Sequence, residues 1–326
     1  MSARRHRDAD QILQKLREER ISALYHFTSI ENLPWIREMK ALCSKQALEG
    51  MGRWPAPEPG GNPLSHDLDR HYGNWDRLAL NFTLFTPMAY WKKREKHLCF
   101  FILSIEAAAL DGVSFTDTNA ASTGQRSGEG LEGLLLVDFA AIRSRPRPWD
   151  KEGWHRPVQA EVLVPDRVDL EYVQEVAFVS RASLEEAERL WGPSSHPPFA
   201  VAPRCFEDIS SGRNPVIGFA YLEGLLLTDE LVDKSNAGAA RAHKSHFVRR
   251  ADARITALAS VRALAGTQAT VAFHPGGYVS TAEFERSAQY WHWPSVSMDP
   301  LPDGPCSVDY RLGNVRWATV EFVLTS

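Results

Sequence analysis

His26 and Thr28 stand two residues apart in the aromatic run Leu24-Tyr25-His26-Phe27-Thr28, and in an extended strand that spacing puts both side chains on one face. An imidazole and a hydroxyl at a strand end can hold a ribose or an amide, although a histidine in such a run is commonly a satisfied structural residue. Glu161 lies within Val158-Gln159-Ala160-Glu161-Val162-Leu163-Val164-Pro165. Period-two alternation puts Gln159, Glu161 and Leu163 on one face and Ala160, Val162 and Val164 on the other. A solvated glutamate on a half-buried strand is the bland reading. Against it, the strand follows a long loop, where a cleft-facing carboxylate would sit, and its face runs from Gln159 to apolar Leu163 instead of staying polar. Farther on, the stretch RAHKSHFVRRADAR sets Arg241, Lys244, Arg249, Arg250 and Arg254 against the single acid Asp252. Such a stretch could track a phosphate backbone or form the solvated face of a helix balanced by nearby acids. Trp291-His292-Trp293 could stack bases or, as is commoner for tryptophans at this density, belong to a core.

These residues need elements to position them. Ile12, Leu13 and Leu16 among charges mark an amphipathic helix over residues 8–20, followed by the His26 strand and by a helix that Ser29 could cap. Residues 50–65, rich in Gly and Pro, read as a long loop of the functional kind. Residues 78–85 and 98–105 read as strands around a helix from Pro87 through Lys96. Residues 124–133, with four glycines, and residues 146–157 read as further flexible loops. Strands are expected over 158–164 and 173–179, then a helix opened by a capping box of Ser183 and Glu186. The Pro/Ser/Gly segment 192–198 reads as a linker. It divides a first unit, residues 1–192, from a second, residues 199–326, with an Ala- and Arg-rich helix over roughly 239–265 and a final strand near 315–324. On that division, residues 199–326 should be removable with the first unit's binding intact.

Composition bounds the function. With 326 residues, 44% hydrophobic and 24% charged, the chain is an ordinary globular protein long enough for two cores. A net charge of −4 excludes wholesale phosphate binding and leaves only local nucleic-acid contact. Cys43, Cys99, Cys205 and Cys306 form no C-x-x-C pair, which argues against a zinc site or a disulfide framework and for a reducing cytoplasm. No apolar stretch is long enough to span a bilayer, and the N-terminus lacks the apolar core of a secretory signal.

Four blocks, YHFTSIENLPWI (residues 25–36), DRLALNFTLFTPMAY (76–90), FTDTNAAS (115–122) and QAEVLV (159–164), resemble in order and approximate spacing those of the DarT family of toxin-type ADP-ribosyltransferases. Departures fall at residues 77–82, where RLALNF replaces an aromatic-rich Y-V-P-F-Y-F, at Thr86 for Ser and at Thr118 for Gly. The resemblance covers about residues 20–180, says nothing of residues 199–326, and implies an α+β fold, a split mixed β-sheet around an NAD cleft; apart from it, residues 199–326 are expected to form a further α+β domain or extension that helps bind the target. The resemblance implies NAD⁺ as co-substrate without a metal, and transfer of ADP-ribose to a base in single-stranded DNA or in RNA. The catalytic glutamate falls on Glu161. An arginine holding NAD⁺ and the target falls on Arg70, with Arg77 in reserve. His26, Thr28, Asn32, Tyr90 and Asn119 fall on the cofactor side. The reduced basic run before Q-A-E, with His155 and Arg156, falls on the nucleic-acid side, and the basic stretch read from its charge adds Arg249 and Arg250 there. The family also implies a toxin of a toxin–antitoxin or phage-defence system, countered by a macrodomain antitoxin. A catalytically silent relative that binds nucleotide and acts through a protein partner is the alternative from another class.

Overall fold

In the computed structural model, the described residues are 4–60, 63–144, 152–208, 217–239, 241–250, 253–299 and 301–326. An eight-stranded sheet forms the first half. Its order is Phe199–Val201, Val173–Phe178, Leu98–Leu103, Leu24–Ser29, Arg77–Asn81, Glu161–Pro165, Ser114–Thr116 and Ser127–Glu129, antiparallel except for the first pair. The N-terminal helix Ala9–Glu18 buries Ile12, Leu13 and Leu16 as its pattern requires. Ser29 caps a 3-10 turn that continues into the helix Leu33–Met39.

The strand Leu98–Leu103 is apolar at every position because both of its faces are covered. Cys99, Phe101 and Leu103 point into the core of the first half. Leu98 and Phe100, on the other face, enter a second core with Ala177, Val179 and Ala182 from the first half and with Phe247, Val271, Phe273, Val308 and Tyr310 from the C-terminal part. One hydrophobic core therefore spans the linker. The boundary expected at 192–199 also falls inside the first sheet, since Phe199–Val201 pairs with Val176–Phe178.

The C-terminal part holds a four-stranded and a five-stranded sheet. Among the described residues of 239–265 the expected helix is absent: His246–Val248 and Arg254–Ala263 are strands. Helix-forming Ala and Arg lose there to a central strand buried on both faces, with Ile255, Ala257, Ala259, Val261 and Ala263 in the second core and Thr256, Leu258 and Ser260 buried on the other side. The C-terminal part is accordingly β-rich, where α+β was expected. Ala240, Ala251 and Asp252 of the basic stretch lie outside the described residues, as do residues 145–151 of the third expected loop.

Three smaller expectations also shift. The glycine-rich segment 124–133 contains the strand Ser127–Glu129 and the start of the helix Gly130–Leu134. Gly133 is required there, because a Cβ would sit 1.9 Å from the Gly128 carbonyl oxygen. The helix Arg181–Trp191 is capped by Ser180, which accepts from the Ser183 N–H, while the Ser183 hydroxyl instead pairs with His97 Nε2 at 2.6 Å. The strand bearing Glu161 begins at that residue, after a 3-10 turn over Pro157–Gln159. No helix among the described residues is long and apolar enough to cross a membrane.

Candidate active site

Glu161 opens its strand opposite Asn81, deep in the sheet, and is 8% exposed. The loop after Ser114–Thr116 folds over it: the Ala120 N–H donates to Oε2 at 2.8 Å and Asn119 Nδ2 to Oε1 at 3.3 Å. That loop is itself pinned. Thr116 Oγ1 donates to the Thr118 carbonyl and accepts from the Glu161 N–H, Asp117 pairs with Arg126, and Asn74 Nδ2 donates to the Ala120 carbonyl. Burial pushes the Glu161 carboxyl up to about 7, with nearby Asp69 adding to the rise, while the Ala120 N–H and the Lys45 ammonium pull the other way.

A cleft opens above this carboxylate, lined by His26, Thr28, Asn32, Arg77, Asn119 and Glu161 among the expected residues. His26 Nδ1 lies 3.1 Å from the Ala79 carbonyl. A carbonyl only accepts, so Nδ1 carries the proton and Nε2 is left as an acceptor. Burial holds His26 below the usual imidazole range despite that bond, which keeps it neutral at pH 7. Thr28 Oγ1 accepts from Asn32 Nδ2 at 2.9 Å. Asn32 spends its remaining polar groups on the backbone of Glu58, donating to its carbonyl at 2.8 Å and accepting from its N–H at 3.0 Å. Asn32 thus braces the glycine- and proline-rich loop, whose residues Trp54, Glu58 and Pro59 form a wall of the cleft. Lys96 holds the same wall, donating to the Pro59 carbonyl at 3.1 Å and pairing with Glu58 at 2.8 Å.

Arg70 and Tyr90 are not among the lining residues. The Arg70 guanidinium stacks on Trp75 at 3.5 Å and pairs with Glu49 at 3.1 Å, while Glu49 also accepts from the Trp75 indole N–H. Arg70 thus closes an aromatic cluster of Trp54, His66 and Trp75 behind the cleft wall. Arg70→Ala is expected to lower stability by about 1 kcal/mol, the scale of an exposed cation–π contact and a surface ion pair, with NAD⁺ affinity unchanged by calorimetry. A fall in affinity of about tenfold, or 1.4 kcal/mol, would return Arg70 to the ligand. Arg77 lines the cleft but directs Nη1 to the Gly112 carbonyl at 2.6 Å and Nε toward Asp76. The Tyr90 ring lies under Arg94 at 3.6 Å.

Lys45 is a cleft cation that sequence reading missed, as are Lys92 and Lys96. Lys45 pairs with Asp69 at 2.7 Å, and both act on the Glu161 carboxyl. Its only sequence signal was its place just after the cap Ser44, which says nothing about chemistry.

On the nucleic-acid side, His155 and Arg156 are exposed at the rim. Arg156 donates to the Thr123 carbonyl at 3.2 Å, and the His155 carbonyl accepts from Gln159, which lines the cleft. The downstream basic stretch is placed differently. Arg241 has its side chain buried against Glu230, Lys244 pairs with Asp229, and Arg249 is held by the Met298 and Leu301 carbonyls and Asp303. Arg250 is exposed. Arg249 donates its N–H to the Thr325 carbonyl at one end of Val315–Thr325, while Arg316 at the other end pairs with Glu31 of the first half. At ~3.3 Å per strand residue, Arg249 and Arg250 lie about 30 Å along that strand from the junction. The structure does not bring them to the cleft. Trp291 is 40% exposed on Ala288–His292, and His292 points inward to the Tyr310 hydroxyl at 2.8 Å.

Among the described residues no group of three or more His, Cys, Asp or Glu is arranged to hold a metal ion. What the cleft offers is a buried carboxylate, a neutral imidazole and hydroxyl, and flanking cations.

Residues 25–206, more than half of the chain, match the family described as "DarT: ssDNA thymidine ADP-ribosyltransferase, DarT". No curated protein matches the chain. Among solved structures, Thermus sp. 2.9 DarT in complex with NAD⁺ is similar at 19% identity and a TM-score of 0.45, over 57% of this chain and 97% of that one. The same protein with ADP-ribosylated ssDNA is similar at 18% and 0.45, over 57% and 96%. Thermosipho africanus DarTG in complex with ADP-ribose is similar at 21% and 0.45, over 57% and 51%.

Proposed function

The chain belongs to the DarT family of NAD⁺-dependent ssDNA thymidine ADP-ribosyltransferases, and we propose that Glu161 is the carboxylate through which it moves ADP-ribose from NAD⁺ to a base. The observation that carries this reading is the buried Glu161 at the cleft floor, oriented by the Ala120 N–H and the Asn119 amide. In the transfer, the bond between nicotinamide and ribose breaks with its electron pair leaving on nicotinamide, and C1′ becomes oxocarbenium-like. A carboxylate fixed beside that carbon stabilises the developing cation more than the ground state, which is the source of acceleration. The base nitrogen then bonds to C1′ and its proton passes to solvent or a nearby base.

His26 and Thr28 are the groups of this chain for the nicotinamide and its ribose, the neutral His26 Nε2 serving as an acceptor. Lys45 and Arg77 supply positive charge for the pyrophosphate. Arg156 and His155 at the rim face the incoming strand. Single strands should react before duplexes, because a base inside a duplex must first be unstacked. A base-modifying activity of this kind fits a toxin, held in check by a macrodomain that removes ADP-ribose.

The test is direct. Purified protein is incubated with NAD⁺ and pools of single-stranded DNA, RNA and protein, and the products are weighed by mass spectrometry. The expected result is an ADP-ribose adduct on a thymine of single-stranded DNA. An adduct found only on protein would overturn the acceptor while leaving the role of Glu161 standing.

A further inference from the structure

We propose that Trp91 is a stacking site for a base adjacent to the one being modified, on the rim of the cleft. This rests on the single-stranded nucleic-acid substrate read above. The helix Pro87–Glu95 presents Met88 and Lys92, one turn apart, to the cleft. The neighbouring side, one residue further round the helix, is buried through Ala89 and Lys93, the latter reaching the Phe206 carbonyl and Asp208. Trp91, three residues after Met88, falls between the cleft-facing and the solvent-facing sides and is 61% exposed. Met88 and Tyr90 beside it are exposed as well, and the Tyr90 and Trp91 rings meet edge-on at 5.1 Å. Single exposed hydrophobics are ordinary, but Met88 and Trp91 stand one turn apart beside a polar cleft, while the Tyr90 ring is covered by Arg94.

Charge decides what fits there. Of the cations at residues 92–96, Lys93 and Arg94 are held by Asp208 and Lys96 by Glu58, which leaves Lys92 as the charge free to exchange its partner at the cleft. Lys92, which faces the cleft, has Glu95 as its ion-pair partner, an i,i+3 surface pair, and such pairs are weak enough to be exchanged for a phosphate. Aromatic faces interleaved with cations along a groove are what a single-stranded nucleic acid requires: the bases stack and the phosphates find the cations. An apolar peptide would be met by this charge without a use for it. Trp91 recognises any base by its π face, so it grips the strand beside the modified position without reading its sequence.

The experiment compares wild type, Trp91→Ala and Trp91→Phe as full chains. NAD⁺ is held saturating, and the acceptors are a thymidine-containing single-stranded oligonucleotide and the same oligonucleotide with abasic sites on either side of the thymidine. Trp91→Ala should raise KM for the intact oligonucleotide about tenfold, the scale of losing one base stack. KM for NAD⁺ should stay unchanged, and Trp91→Phe should recover most of the loss. Flanking abasic sites should weaken wild type as much as the substitution does and should not weaken Trp91→Ala further. A KM for the intact oligonucleotide within about twofold of wild type overturns the proposal, as does an equal rise in KM for NAD⁺, because a stack is worth more than that and acts only on the acceptor. Should wild type consume NAD⁺ but modify no oligonucleotide, the acceptor reading itself falls and this proposal with it.

Discussion

Glu161→Gln is expected to lower ADP-ribose transfer by at least about 10², the scale of removing one electrostatic stabiliser from a transition state, and at the same time to stabilise the folded protein at pH 8. Glutamine keeps the shape and can still accept from the Ala120 N–H, so the loop over residues 117–122 stays in place while the charge facing the ribose cation is gone. The gain in stability follows from where the carboxyl titrates. Burial raises it from 4.5 to about 7, so the folded state holds this proton more tightly than the unfolded chain does. The stability linked to that proton is present below pH 4.5 and is lost as pH rises through 7. At pH 8 the ionised Glu161 therefore opposes folding by up to about 3 kcal/mol, and the glutamine variant is free of that opposition. Thermal melts should show the variant a few degrees above wild type at pH 8 and close to it at pH 4.5. Transfer by wild type should rise with pH through 7 as the carboxyl ionises. A rate that is flat from pH 6 to 8, or a melting difference that does not change with pH, would show that ionised Glu161 is not the acting species.

Removing residues 209–326 should leave a chain that does not fold. Leu98, Phe100, Ala177, Val179, Ala182 and Phe206 would lose the C-terminal side chains that cover them in the second core. Returning a large buried side chain to water costs about 1.5–3 kcal/mol, and for Leu98, Phe100 and Phe206 together that is already comparable to the ~5–15 kcal/mol by which whole domains are stable. Polar ties are cut as well. Arg316 donates both ways to Glu31 at 2.9 and 3.0 Å, and His97 sits between the Ser183 hydroxyl and the Arg316 carbonyl, packed on Trp317. The linker composition had suggested the opposite, a first half that keeps NAD⁺ binding alone. Soluble expression of the truncated chain with a cooperative melt and intact NAD⁺ binding would show that the shared core is only a contact between two independent units.

The contrast between these two cases shows what was legible in the sequence. That Glu161 would line a cleft was legible because four ordered blocks framed it and because its strand face mixed polar and apolar residues. The strand Leu98–Leu103 was legible too, yet its unbroken hydrophobicity carried a message that went unread: a strand apolar on both faces needs a second partner layer, and that layer is the C-terminal part. The Ala- and Arg-rich segment near residue 255 misled because intrinsic helix preference is a weak prior, overridden here by burial of both faces of a central strand. Arg70 misled for another reason. Its distance along the chain from the Arg77 strand matched the family pattern, but nothing local in a sequence says whether a guanidinium turns to a ligand or to a neighbouring tryptophan. Lys45 and the Asn32 brace depend on residues 24 and 26 positions away, and no periodicity connects them.

The brace on the cleft wall sets how often that wall is out of place. Residues 58–59 are held to the rest of the cleft by the two Asn32 bonds, the Lys96 bond to Pro59 and the Lys96 pair with Glu58. At about 1 kcal/mol net for each hydrogen bond and little for the surface pair, detaching it costs about 3 kcal/mol. Roughly one molecule in a hundred then has this wall detached at any instant, a minor population that re-forms continually.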